Sequence, residues 1–83
     1  VVGGAGGGYA REAAGCGADA FVTGEVRHHE AIAARACGVT LYGAGHYHTE
    51  IVYRRMLCDA LTARCSGVRF HVSRSERPPM AFL

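Results

Sequence analysis

The stretch that decides the fold is AFVTGEVRHHEAIAARACGVTLYG, Ala20–Gly43, in which two short apolar runs flank an alanine-rich segment. Ala20–Thr23 and Val39–Tyr42 have the length and the β-branched and aromatic content of buried strands. Between them, Val26–Cys37 is rich in good helix formers, and Gly38 follows where a helix C-terminus favours glycine. Two strands joined through a helix indicate a crossover unit, which predicts that the strands are parallel.

The same alternation of strands and helices continues on both sides of this stretch. The further predicted elements are the tail of a strand at Val1-Val2, a helix at Tyr9–Cys16, the longest helix at about Thr49–Cys65 and a half-buried strand at Val68–Val72. The predicted fold class is therefore α/β, with a largely parallel sheet flanked by helices. The apolar tail, Met80–Leu83, is expected to pack against another part of the protein.

Length and composition set the scale of the protein. Its 83 residues are enough for one domain, so we expect residues 1–83 to form a single α/β domain. With 49% hydrophobic and 19% charged residues, the composition is that of a folded protein. The chain begins at Val1 without a methionine, on what reads as part of a strand, so we expect a C-terminal fragment of a longer protein.

Charge and cysteine usage narrow the class of partner. The formal net charge is +2 with acids and bases interspersed, which does not predict a nucleic-acid surface. No apolar run reaches membrane-spanning length, so no membrane partner is expected. Four cysteines occur without a Cys-x-x-Cys spacing, and Cys16, Cys37 and Cys58 sit among alanines. We expect buried, reduced thiols and a cytoplasmic protein.

Four of the five histidines fall in the two loops that follow the predicted strands. The carboxyl ends of parallel strands are where α/β proteins collect their functional groups. In the second of these loops, His46 and Glu50 are four residues apart at a helix start, so their side chains share one face. An imidazole and a carboxylate at this spacing suit one divalent ion of zinc, manganese or iron. The spacing alone also fits a glutamate that simply favours a first helical turn.

The first of these loops, His28-His29-Glu30, leaves two interpretations open. A histidine there could act as a ligand or general acid/base, or the three residues could be a polar helix start. The glycine-rich segment Gly3–Gly8 could bind phosphate, but Tyr9 stands where the dinucleotide fingerprint needs its third glycine. A tight strand-to-helix turn is the simpler interpretation of that segment.

Several blocks of the sequence resemble the C-terminal segment of the NIF-three-like family, whose members are also described as GTP cyclohydrolase I type 2 homologs. The resemblance covers almost the whole chain, in the family's order. The blocks are Gly3–Gly7, Ala18–Glu25 with His28–Glu30, Gly45-His46 with Glu50, and His71–Ser73.

The resemblance implies that this chain is the C-terminal half of a two-lobed α/β metal-binding fold in a homo-oligomer. Two metal ions lie between the halves of such proteins, and His46 and Glu50 match the family's metal-ligating histidine and glutamate. The remaining ligands, a pair of histidines and an aspartate, come from the N-terminal half. His29 then lines the site, and we predict a catalytic role for it as an acid/base or a substrate contact.

Two functions follow from these expectations, and a third from the glycine-rich segment. The first is a module of a two-metal-dependent hydrolase, whose family name points to GTP ring opening and which is inactive as an isolated fragment. The second is a non-catalytic protein-interaction or regulatory module with a structural metal. The third, a nucleotide-binding fold without metal, is disfavoured by the broken fingerprint at Tyr9.

Overall fold

A computed structural model describes residues 1–81 of the protein. A short 3-10 turn, Gly7–Tyr9, leads into the first helix. The regular elements are α1 (Ala10–Gly15), β1 (Ala20–Thr23), α2 (His28–Ala36), β2 (Thr40–Gly43), α3 (His46–Glu50) and α4 (Tyr53–Arg64). The chain divides into two compact units, residues 1–50 and the residues from Ile51 onward. The last two residues of the predicted apolar tail, Phe82 and Leu83, lie outside the described part.

The sheet of the first unit is parallel, as the crossover pattern predicts. β1 pairs with β2 in a register that places Phe21 opposite Leu41. On the other side of β1, Val2 forms a single parallel bridge with Thr23, and its N–H donates to the carbonyl of Val22 at 2.9 Å. The α/β class with a parallel sheet is therefore confirmed, although the predicted first strand contributes only one bridge.

The core of the first unit is small and built mostly from short side chains. Its buried hydrophobic residues are Phe21 on β1, Ala10 on α1, Ala34 on α2 and Val39 before β2. Alanine lets both helices approach the sheet closely. Phe21 is the one large side chain among these four, and burying such a ring contributes about 2–3 kcal/mol.

Both ends of α2 are closed by hydrogen bonds that the sequence encodes. At its start the N–H of Arg27 donates to the Glu30 carboxylate at 2.7 Å, the return bond of a capping box. At its end Gly38 has a positive φ of 75°, and the N–H of Val39 donates to the carbonyl of Ala34 at 3.0 Å. This is a Schellman ending. The glycine expected at this helix end is confirmed, and Glu30 has a structural role.

From Thr49 onward the structure departs from two sequence expectations. The segment predicted as one long helix, Thr49–Cys65, holds the end of α3 and the whole of α4, separated by a turn at 51–52. The prediction of a strand at Val68–Val72 is wrong, because these residues form no strand in the structure. A strand needs a neighbour that accepts and donates its backbone hydrogen bonds. Within the described residues of the second unit, no other strand supplies them.

The burial expected for two of the cysteines is also wrong. Cys16 and Cys37 are exposed, because each occupies the C-cap position just beyond a helix end, at α1 and α2 respectively. Neighbouring alanines do not bury a residue that the chain places at a helix terminus. Among the described residues, no helix has the length and apolar character needed to cross a membrane.

Candidate metal site

Three segments that are far apart in sequence meet at the carboxyl end of β1. They are the glycine-rich segment Gly3–Gly8, the residues Thr23–Glu25 and the loop entering α3. Thr23 is fully buried. Its hydroxyl donates to the carbonyl of Gly4 at 3.2 Å and accepts from the N–H of Gly6 at 2.9 Å. Because a buried hydroxyl needs both bonds, Thr23 fixes the path of the glycine-rich segment.

Gly4 is held from α3 as well. Its N–H donates to the Thr49 hydroxyl at 3.0 Å, and that hydroxyl also lies 3.0 Å from the carbonyls of Gly45 and His46. Gly4 has a φ of +67°, a left-handed conformation that favours glycine. A Cβ atom there would lie 2.5 Å from Glu50 Oε1 and 3.4 Å from His46 Nε2. The missing side chain therefore leaves room directly beside the predicted ligands.

Gly24 marks the point of closest backbone approach. A Cβ atom on Gly24 would lie 2.6 Å from the Gly4 carbonyl oxygen, 2.6 Å from the Thr49 hydroxyl and 2.8 Å from the Cα of His46. The Gly24 carbonyl accepts the N–H of Gly45 at 3.0 Å. The three segments can meet only because this position has no side chain.

His46 lies between two carboxylates. Its Nε2 is 3.2 Å from Glu50 Oε1, and its Nδ1 is 3.3 Å from Glu25 Oε2. The imidazole is 38% exposed and each glutamate side chain about half exposed, so the cluster is open to solvent on one side. The predicted pair of His46 and Glu50 is thus brought into contact, and Glu25 joins it from a different loop.

The two carboxylates stabilise a positive charge on the ring. The pKa of His46 is raised above its ordinary value of 6.5, mainly by hydrogen bonding to Glu25 and then by the charge of Glu50, while partial desolvation opposes the rise. The ring therefore retains its proton to a higher pH than a free histidine. The arrangement favours a cation at this point.

The distance between His46 Nε2 and Glu50 Oε1 suits two ligands of one divalent cation. Ligand atoms about 2.1 Å from a zinc-type ion lie roughly 3.0–3.4 Å from one another. The 3.2 Å between His46 Nε2 and Glu50 Oε1 falls within that range. Among residues 1–81, however, no set of three His, Cys, Asp or Glu side chains surrounds one point as a metal site requires. The chain fits two ligands of a site, short of the three or four protein ligands that are usual.

His29 lies in a separate groove. It is exposed in the first turn of α2 and lines a cavity of about 310 Å³ with Gly7, Gly8, Arg11 and other residues. His46 and Glu50 do not line this cavity. The catalytic role of His29 stays a prediction.

Sequence reasoning missed the residues that shape this cluster. Glu25, Thr23 and Thr49 each contact a segment that is distant along the chain. A signal was present, since Thr23-Gly24-Glu25 closes a strand at the functional edge of the sheet. No local pattern, however, indicates which distant group a side chain will contact.

Comparisons with known proteins point in one direction. The model of the family described as Duf34/NIF3 (NGG1p interacting factor 3) matches residues 1–79. The chain is 38% identical over 72 residues to a GTP cyclohydrolase 1 type 2 homolog of Staphylococcus aureus, covering 87% of this chain and 19% of that protein. It is 39% identical over 61 residues to the Staphylococcus epidermidis homolog, covering 74% of this chain and 16% of that protein.

A solved structure agrees with the family match. The crystal structure of a Bacillus cereus protein related to NIF3 superimposes with a TM-score of 0.74 at 29% sequence identity. The superposition covers 99% of this chain and 24% of that one. The chain therefore spans about a sixth to a quarter of the length of the proteins named here.

Proposed function

Because this chain belongs to the DUF34/NIF3 family, we propose that it contributes His46 and Glu50 as ligands to a divalent-metal site in a metal-dependent hydrolase. The observation that carries the proposal is the contact of His46 Nε2 with Glu50 Oε1 at 3.2 Å. These two atoms are as far apart as neighbouring ligands of one zinc-type ion, and a divalent cation bound beside them would attract both the nitrogen lone pair and the carboxylate.

The space beside the pair supports the same reading. Gly4 leaves open the volume that a side chain would fill next to Glu50 Oε1 and His46 Nε2. The hydrogen bonds of Thr23 and Thr49 hold that glycine in place. Ligands held on a rigid framework lose less freedom when a metal binds, which increases affinity.

The two ligands require others to complete a site. We propose that a second α/β half supplies a pair of histidines and an aspartate, that two metal ions lie between the halves, and that the protein is a cytoplasmic homo-oligomer. A divalent cation bound there would act as a Lewis acid on water and on a carbonyl or phosphoryl group of a substrate. His46 and Glu50 would orient it, and the isolated chain would bind metal weakly and have no turnover.

Metal binding is tested with His46→Ala and Glu50→Ala. Zinc affinity and stoichiometry are measured by equilibrium dialysis on the 83-residue chain and on a full-length protein carrying it. His48→Ala is the matched control, because His48 is an exposed histidine on the same short helix. We expect both ligand variants to lose the site and the control to keep it. Unchanged stoichiometry in both ligand variants would rule out the assignment.

The hydrolase part of the proposal is tested separately on the metal-loaded full-length protein. The name of the curated relatives makes GTP the first substrate to try, followed by a broad panel of esters and phosphoesters. His29→Ala is compared with His28→Ala, a neighbouring exposed histidine. Activity lost with His29→Ala alone supports an acid/base or substrate-contacting role for His29.

A second function has one observation in its favour. The family description names an interacting factor, so a protein-interaction or regulatory module with a structural metal remains the alternative. It predicts that His46→Ala lowers metal content and thermal stability while no substrate of the panel is turned over by the wild-type protein.

A further inference from the structure

The imidazole of His46 is contacted on both of its nitrogens, and the two contacts differ in origin. Glu50 is four residues along the same helix and faces Nε2, whereas Glu25 follows β1 and faces Nδ1. The two ring nitrogens point in different directions, so a cation shared by Nε2 and Glu50 is out of reach of the Glu25 contact at Nδ1. Glu25 therefore has a role other than that of Glu50.

The chemistry of the ring defines that role. A neutral imidazole has one N–H donor and one lone pair. When Nε2 uses its lone pair for a metal, the proton must be on Nδ1, where it needs an acceptor. Glu25 Oε2 is 3.3 Å from Nδ1, at the long end of the hydrogen-bond range, and it is the acceptor that faces this nitrogen. Such carboxylate–histidine–metal arrangements orient the ring and strengthen the ligand.

The backbone of Glu25 is fixed in the same network. Its N–H donates to the carbonyl of Gly4 at 2.9 Å, the same carbonyl that accepts the Thr23 hydroxyl. Gly24, immediately before it, is buried against the start of α3. The fold therefore holds the backbone of Glu25 in place beside His46, while its side chain is about half exposed.

We propose that Glu25 is a positioning residue of the metal site, whose carboxylate accepts the Nδ1–H of His46 and holds the ring so that Nε2 faces a divalent cation together with Glu50. This inference rests on the proposed function. It adds a residue that does not touch the metal and assigns the two glutamates beside His46 to different tasks.

The test compares Glu25→Ala, Glu25→Gln and the control Glu12→Gln, which removes an equal charge from an exposed position on α1. Zinc affinity is measured by equilibrium dialysis on the full chain, with circular dichroism to verify folding. We expect Glu25→Ala to weaken zinc binding about ten- to hundredfold at unchanged stoichiometry. Glu25→Gln should retain part of the affinity, because its amide oxygen still accepts a hydrogen bond, and Glu12→Gln should bind as the wild type does.

A second measurement monitors the imidazole ring of His46 directly. In the zinc-loaded wild type, nitrogen-15 NMR of His46 should show zinc on Nε2 and a slowly exchanging proton on Nδ1. In Glu25→Ala that proton should exchange faster, which a purely structural role would not produce.

The outcomes separate this inference from the proposed function. If His46→Ala leaves zinc binding unchanged, both fail. If His46→Ala abolishes binding while Glu25→Ala keeps full affinity, only the role of Glu25 fails. Equal losses in Glu25→Ala and Glu25→Gln overturn the hydrogen-bond account, and a lost equivalent of zinc in Glu25→Ala makes Glu25 a ligand.

Discussion

The substitution Gly4→Ala, compared with Gly17→Ala, separates the loss of stability from a left-handed backbone from the loss of zinc affinity at a blocked site. Gly4 has a φ of +67°, so we expect its replacement by alanine to lower the free energy of unfolding of the protein by about 1–2 kcal/mol. Its Cβ atom would also lie 2.5 Å from Glu50 Oε1. Because that oxygen is the end of a half-exposed, flexible side chain, Glu50 can turn away at little cost in stability. The carboxylate would then leave His46, and we expect zinc affinity to fall at least tenfold, or about 1.4 kcal/mol.

Gly17→Ala is the matched control for this experiment. Gly17 has a φ of +81°, and a Cβ atom there would have nothing within 4 Å. The two variants should lose similar stability in urea denaturation of the metal-free chain, within about 1 kcal/mol. Only Gly4→Ala should lose zinc affinity in equilibrium dialysis. If the two variants bind zinc equally well, the reasoning that Gly4 clears space for the ligand pair is wrong.

Three further predictions concern the surrounding network. Thr23→Val removes a buried hydroxyl that makes two hydrogen bonds, so the free energy of unfolding should fall by about 1–3 kcal/mol, whereas Thr62→Val at an exposed helical site should cost under 1 kcal/mol by urea denaturation. Because the pKa of His46 is raised from 6.5, the stability that its charged ring contributes is fully present below pH 6.5 and is lost as the pH rises through the raised pKa. An NMR titration of His46 in the metal-free chain with its midpoint at or below 6.5 would contradict this. Glu30→Ala breaks the bond from the Arg27 N–H and should lower the free energy of unfolding by about 0.5–2 kcal/mol, and an unchanged urea midpoint would show that this cap is dispensable.

The sequence predicted the first unit well because its signals there are local. β1 was predicted at its observed bounds, and Gly38 was predicted correctly as the glycine that ends α2. The predicted bounds of α2 and β2 differ from the observed ones by one or two residues. Apolar runs, helix formers and a terminating glycine act through neighbours along the chain. The strand at Val68–Val72 failed for the opposite reason, since alternation says which side chains share a face but cannot supply a partner strand.

The candidate site likewise combines a contact that is local in the sequence with contacts between distant segments. His46 and Glu50 are four residues apart, so helical geometry alone predicts that they are neighbours. Glu25 and Gly4 reach the same place only through the parallel sheet and the hydrogen bonds of Thr23. These contacts cannot be predicted from a single sequence, because they depend on how the segments pack together.

The close packing of three backbone segments at Gly24 also determines which substitutions this protein tolerates. In a saturation library, Gly15 should accept alanine readily, because its surroundings are open. Gly24 should accept no other amino acid, and a compensating change at one neighbour should not rescue it, since two of the three nearest atoms belong to the main chain. A single mutational profile along this chain would therefore show its sharpest intolerance at a residue that contributes no functional group.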